Sequence, residues 1–322
     1  MFHAKAAIAA AVLAAAALPA AAQEVKLSLI NFLQNEQAFG QPAVEWTGMV
    51  NKAGKGVVQI EIKPYGAIPV FEMGNAVKNG VADMGSVPAT FMQNLLPIGD
   101  TTKLATRSAE EIRKNGGFDH LNKLFREKVN AELLSMHGEG VPFNLYMRDK
   151  KIEKADLTGL KLRVTPIYRA FFRALGSQIV VIPPPEVLSA LERGTVDGYG
   201  WPVWDIKTTG WDKYTKYMIE PGFYVVAGNI FINLPKWNAL SPQAKAILAK
   251  AGVDYDTKVW KQNIPAKEAK YTKERADAGV QVVKLTGAEA AKYVKTAYDS
   301  AWAELEGLDA ANAKILKPLF TK

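Results

Sequence analysis

An arginine near the middle of the chain is placed to grip a carboxylate. Leu160, Leu162 and Val164 alternate with Lys161, Arg163 and Thr165, and Pro166 closes the run. That alternation reads as a strand, so Arg163 stands at its carboxyl end. Open α/β sheets bind ligands at that edge, and a guanidinium there offers a planar fork of N–H donors. Few other side chains bring reactive chemistry. There is no cysteine, and the three histidines are His3, His120 and His137. Disulfides and thiolate catalysis are excluded, and a transition-metal centre is disfavoured. The chain has no Gly-x-Ser-x-Gly elbow and no Gly-rich phosphate loop ending in Lys-Ser/Thr. Gly198-Tyr199-Gly200 lacks the third glycine of a dinucleotide fingerprint. His137 and Glu139 have the chemistry of an acid–base pair, but a surface loop is the simpler reading. These residues describe a binding protein without a cofactor better than an enzyme.

The elements that must position Arg163 occur twice. Residues 76–88 align without a gap on residues 190–202, and Ala, Gly, Asp and Pro coincide at 76/190, 80/194, 83/197 and 88/202. Each copy reads as a helix, a glycine C-cap, a short turn with Asp and a new strand. Upstream, Val25 to Ile30, Val57 to Ile62 and Val81 to Val87 read as strands separated by helices at Ala38 to Asn51 and Phe71 to Lys78. The loop Asn31 to Glu36 between the first strand and helix is a candidate ligand edge, with Asn35 its polar contact. Downstream, strands at Leu160 to Val164, Gln178 to Ile182 and Val196 to Tyr199 alternate with helices in the same β-α-β-α-β order. That order predicts an α/β protein of two lobes, each with a mostly parallel sheet and flanking helices. We place a first crossover between lobes near Val141 to Met147. The return crossover falls within Phe223 to Leu234, read as one long strand. Ser241-Pro242 is a helix start, with Ser as N-cap and Pro in the first turn. Helical pattern continues to about Gly279, then a strand at Gln281 to Leu285 and a last helix at Gly287 to Leu305. Lobe I is expected to comprise 23–143 with about 229–265, and lobe II 144–228 with about 266–322.

Residues 1–22 read as a targeting segment: Lys5, then an uncharged alanine-rich run, then Ala20-Ala21-Ala22 before Gln23. The expected location is therefore the periplasm. No later segment is long and apolar enough to span a bilayer. The 322 residues carry 40 Lys and Arg against 32 Asp and Glu, a net charge of +8. The basic residues are interleaved with acids and form no nucleic-acid patch.

At Gly159-Leu160-Lys161-Leu162-Arg163-Val164, then Pro184-Pro185-Glu186-Val187, Ala190-Leu191, Gly194 and Val196-Asp197-Gly198, the sequence resembles the DctP-type extracytoplasmic solute-binding proteins of TRAP transporters. The resemblance extends over Asn79 to Met84 and Asn233 to Ser241, and so over nearly the whole chain after residue 22. It implies two α/β lobes, joined by crossover strands and a long spanning helix, that close on a small organic acid. It also implies delivery to TRAP membrane permease subunits, and it assigns the ligand carboxylate to Arg163. Two positions depart from sialate-binding relatives. Phe143 stands where they carry a second arginine, and Trp201 where they carry an Asn before the Pro. Aromatic rings thus replace a cationic and a polar contact, which favours an aromatic or apolar monocarboxylate such as an aryl 2-oxo acid. Trp201, Phe143, Phe171, Phe223 and Tyr224 are the candidate walls, and Arg148 a candidate second cation. The alternatives are a C4-dicarboxylate or sugar-acid binder, and a periplasmic hydrolase or lyase on a two-lobed fold.

Overall fold

The computed structural model describes residues 24–322, and the expected targeting segment lies outside the described residues. The chain builds strands β1 (Val25–Asn31), β2 (Val58–Ile62), β3 (Met84–Ser86), β4 (Ala131–His137), β5 (Phe143–Met147), β6 (Lys161–Val164), β7 (Gln178–Val181), β8 (Gly198–Pro202), β9 (Tyr217–Phe223), β10 (Gly228–Asn233) and β11 (Gln281–Lys284). They form two sheets, ordered β2-β1-β3-β10-β4 and β11-β9-β5-β8-β6-β7. We take each sheet with its flanking helices as one lobe.

Both sheets are mostly parallel, with one reversed strand each. In the first it is β10, antiparallel to β3 and β4. In the second it is β5, antiparallel to β8 and β9. Each reversed strand is the one the chain lays down on first arriving from the other lobe. The crossovers occupy residues 138–142 and 224–227. The second one breaks the expected strand Phe223 to Leu234 in two, and Tyr224 turns there with φ +50°. Strand β5, inside its sheet, and β4, at the edge of the first, are both buried along their whole length.

The internal echo is a structural repeat. The helices Met73–Lys78 and Val187–Glu192 end before Gly80 and Gly194, whose φ angles of 73° and 64° suit glycine. Asp83 then accepts the Ser28 N–H of β1 at 2.9 Å, and Asp197 accepts the Lys161 N–H of β6 at 2.8 Å. Each carboxylate ties the turn to the first strand of its own lobe. The motif's Asp is therefore a fold determinant, and each copy ends on a proline at the cleft, Pro88 or Pro202.

Ser241 caps the helix Pro242–Asp254, which runs through a wider turn at Tyr255–Val259 into Trp260–Asp277. This long helix touches both lobes. Asp256 accepts from Ser135 Oγ, the Met136 N–H and Arg113 on the first. Glu268 accepts from Trp204 Nε1, and Arg275 donates to the Val203 carbonyl, on the second. The tail is divided. Gly287–Leu308 packs on the second lobe, with Glu304 held by Arg169. A further helix, Ala310–Phe320, returns to the first, where the Phe320 carbonyl accepts from Thr106 N at 3.0 Å and Arg107 N at 3.1 Å. The whole of 266–322 therefore does not follow lobe II. Among the described residues no helix is long and apolar enough to cross a membrane.

Candidate functional site

Arg163 lies on β6 between β7 and β8, paired with Val180 and Tyr199, and is 0% exposed. Its Nε donates to the Ile182 carbonyl at 2.9 Å, and Nη1 donates to Tyr168 Oη at 2.9 Å and to the Gly200 carbonyl at 3.2 Å. Nη2 has no partner. The ionisable neighbours that bear on the guanidinium are the phenols of Tyr168 and Tyr199 rather than a carboxylate, and burial pulls its pKa down. The rings of Trp201 and Trp211 stand 5.8 and 5.7 Å from its Cζ. A buried cation without a counter-ion is costly, so this group awaits an anion. The two-pronged fork expected from the sequence is half used by the protein, which leaves Nη2 as the unpartnered nitrogen.

The two lobes enclose an apolar cavity, and two of its lining residues, Tyr168 and Trp201, also meet Arg163. Phe32, Phe39, Pro88 and Phe91 come from the first lobe, and Phe143, Tyr168, Trp201 and Pro202 from the second. No charged side chain lines it. Its free volume is about 40 Å³, room for a few waters, so an organic acid must hold the lobes further apart than they stand here. Two polar atoms in the wall are buried and unpartnered, Trp201 Nε1 and Thr165 Oγ1. They are unpartnered polar atoms in an otherwise apolar lining, and Arg163, which is outside the lining but bonded to Tyr168, carries a third. Apolar walls with a few polar atoms are the usual make-up of a small-molecule site.

Trp201 and Phe143 line the cavity, and Arg163 stands beside Trp201 outside the lining. Phe171, Phe223 and Tyr224 do not line the cavity. They are 0%, 1% and 2% exposed and form an aromatic core with Tyr293 behind the site. The Tyr224 hydroxyl is occupied by the Ala297 carbonyl at 2.8 Å. Asn35 is exposed and accepts from Asn31 Nδ2 at 3.1 Å, while its loop reaches the cavity through Phe32 and Phe39. Arg148 pairs with Asp149 at 3.3 Å, outside the lining. Tyr168 was missed, and so were the rings of the first lobe. The repeat offered a signal for the latter, because Pro88 mirrors Pro202 at the cleft.

His137 and Glu139 form neither a surface loop nor an acid–base pair. His137 is buried against the rings of Tyr255 and Trp260, and desolvation, with Lys267 adding to it, depresses its pKa to about 3. Glu139 accepts from the Ala109 N–H at 2.8 Å and pairs with Lys261 at 3.4 Å. Both border a wider depression of about 370 Å³ behind the crossovers. Arg107 there donates to the carbonyls of Pro318 and Thr321. Its charged groups are already engaged, so the interlobe cavity is the candidate site. Among the described residues no cluster of three or more His, Asp or Glu could hold a metal ion.

The sequence pattern of the bacterial extracellular solute-binding proteins of family 7, DctP, matches residues 31–307. The chain belongs to this family. DctP proteins are binding proteins, so the hydrolase or lyase alternative is set aside. A monocarboxylate 2-oxoacid-binding periplasmic protein of Nostoc sp. PCC 7120 is 23% identical over 211 residues, 61% of this chain and 57% of its own length. The chain spans about three fifths of the length of the curated relatives it matches. A TRAP periplasmic solute-binding protein from Desulfovibrio salexigens, solved with bound orotic acid, superposes with a TM-score of 0.81 at 20% identity, covering 92% of this chain and 97% of its own. Another from Roseobacter denitrificans OCh 114, solved with L-galactonate, gives 0.76 at 20% identity, covering 92% and 99%. These likenesses establish the two-lobed solute-binding fold for this DctP chain. A flat ring acid and a sugar acid both occur on it, so the fold alone does not choose the ligand.

Proposed function

We propose that the protein is the periplasmic receptor of a TRAP-type transporter. It closes on a small acid with one carboxylate and an aromatic or apolar body, an aryl 2-oxo acid being the favoured class. One observation carries the reading: a wholly buried arginine with an unpartnered Nη2 and no carboxylate partner is bonded to Tyr168 and stands beside Trp201, two of the rings that line the cavity. The ligand's carboxylate supplies the missing charge. Trp201 Nε1 and Thr165 Oγ1 are free to meet its second oxygen or an adjacent keto oxygen. Rings from both lobes cover the body, so the loaded ligand bridges the lobes and favours closure. The Nostoc relative's 2-oxoacid name and the orotic acid on the Desulfovibrio fold support this class. Delivery then falls to membrane permease subunits that recognise the closed form.

Calorimetric titration with benzoylformate tests the anchor. Arg163→Lys keeps a charge but cannot reproduce the bonds to Ile182, Tyr168 and Gly200 while still offering a donor to the ligand. Affinity is expected to fall by about 1.5–3 kcal/mol, roughly 10- to 150-fold. Unchanged binding removes Arg163 from the role.

A further inference from the structure

Tyr168 stands where the two demands on the site meet. It lies in the short turn Pro166–Tyr168 that follows β6. Its hydroxyl donates to the Gly200 carbonyl at 2.5 Å and accepts from Arg163 Nη1. With Nε on Ile182 and Nη1 shared between Tyr168 and Gly200, Nη2 is the one guanidinium nitrogen left to a ligand. The ring is 1% exposed and packs on Phe143, Phe172 and Phe223 at centroid distances of 5.8, 5.3 and 6.2 Å, which holds it in place. Gly200 belongs to the same fit, because a Cβ there would lie 2.5 Å from the ring. Tyr168 also lines the narrow cavity.

We propose that Tyr168 is the specificity-determining residue of the site. It holds Arg163 to one free nitrogen and fills the cavity with its ring, so acids with a single carboxylate and a thin body enter while dicarboxylates and polyhydroxylated chains are refused. The inference rests on Arg163 being the carboxylate anchor. A second carboxylate finds no cation in the lining, and burying it unpaired is costly. A hydroxylated chain leaves its oxygens against rings, without partners. Both refusals depend on the Tyr168 ring staying in place. Removing it opens room for water to bridge those oxygens.

Titration calorimetry of the unaltered protein, Tyr168→Phe and Tyr168→Ala against benzoylformate, malate and galactonate tests the proposal. The unaltered protein is expected to prefer benzoylformate by roughly 100-fold, the scale on which unpaired polar groups discriminate. Tyr168→Ala should shrink that preference by about tenfold or more, with circular dichroism confirming the fold. Tyr168→Phe keeps the ring and releases Nη1. It should tighten benzoylformate by roughly threefold or more through a two-nitrogen grip, with the preference over galactonate intact. This variant decides the matter if Tyr168→Ala does not fold. Affinities unmoved in Tyr168→Phe, or a preference unmoved in a folded Tyr168→Ala, overturn the inference and leave Arg163 as anchor. A first choice of malate or galactonate by the unaltered protein does the same. Binding of none of the three acids overturns the anchor reading and the inference together.

Discussion

Two buried cations in this protein are provisioned differently. Lys103 is 1% exposed and meets Asp100 and the Ile167 carbonyl, both at 2.5 Å. Arg163 is 0% exposed and meets neutral acceptors only. The first is a closed structural pair, and the second keeps an unpartnered nitrogen, Nη2. From the sequence, Arg163 was legible because a strand end and a family motif coincided on it. Phe143 and Trp201 were legible because they replace polar residues at defined positions. Phe171, Phe223 and Tyr224 carried the same aromatic signal yet pack in the core, since ring type alone does not distinguish a wall from an interior. Tyr168 gave no signal, because its role depends on a hydroxyl reaching across to β8. His137 supports a prediction at this scale. Folded His137 stays neutral down to about pH 3, whereas the unfolded chain takes up its proton near pH 6.5. Stability should therefore fall as pH drops from 6.5 toward 3, by up to about 1.4 kcal/mol per unit from this group. Urea unfolding between pH 6.5 and 5, before most carboxylates titrate, should show the slope, and His137→Gln should flatten it.

Among the elements, some boundaries set by capping chemistry were readable and those set by tertiary packing were not. Ser241-Pro242 starts its helix as expected, with Ser241 Oγ accepting from Ala244 N at 3.2 Å. The third strand, expected from Val81 to Val87, shrinks to Met84–Ser86 because Asp83 is committed to the turn. The helix Ala310–Phe320 went unread, although Asp309 is its N-cap and accepts from Asn312 N at 3.1 Å. Ser108 illustrates the energetic weight of such caps. Its hydroxyl accepts from Glu111 N at 3.2 Å while Glu111 Oε2 accepts from Ser108 N at 2.8 Å. Ser108→Ala should cost about 1 kcal/mol, visible as a fall in melting temperature of about 2 °C. Ligand affinity should not change, because Ser108 is outside the interlobe cavity.

For the molecule as a whole, the two-lobed plan was legible from the doubled β-α-β-α-β order and the repeat at 76–88 and 190–202. The contacts that hold the lobes together were not, because they join residues far apart in the chain. Phe39 stacks on Trp204 at 5.8 Å, and the Ala38 N–H donates to Asp205 Oδ2 at 2.5 Å across the cleft. Asp205 is buried and adopts φ +70°, a backbone state that favours glycine. Asp205→Ala should destabilise the closed form by about 1.5 kcal/mol, roughly a tenfold loss of affinity. The loss should appear in the dissociation rate measured by stopped-flow, with little change in association. The reversed strands have a consequence of their own. Because β5 and β10 are hydrogen-bonded on both sides in the sheets they enter, the crossovers 138–142 and 224–227 are short and taut, and the long helix and the return of the last helix add two more connections. The lobes are hung like a door on short leaves sewn into both frame and panel, with a bar laid across both. Such a door swings more readily than it slides.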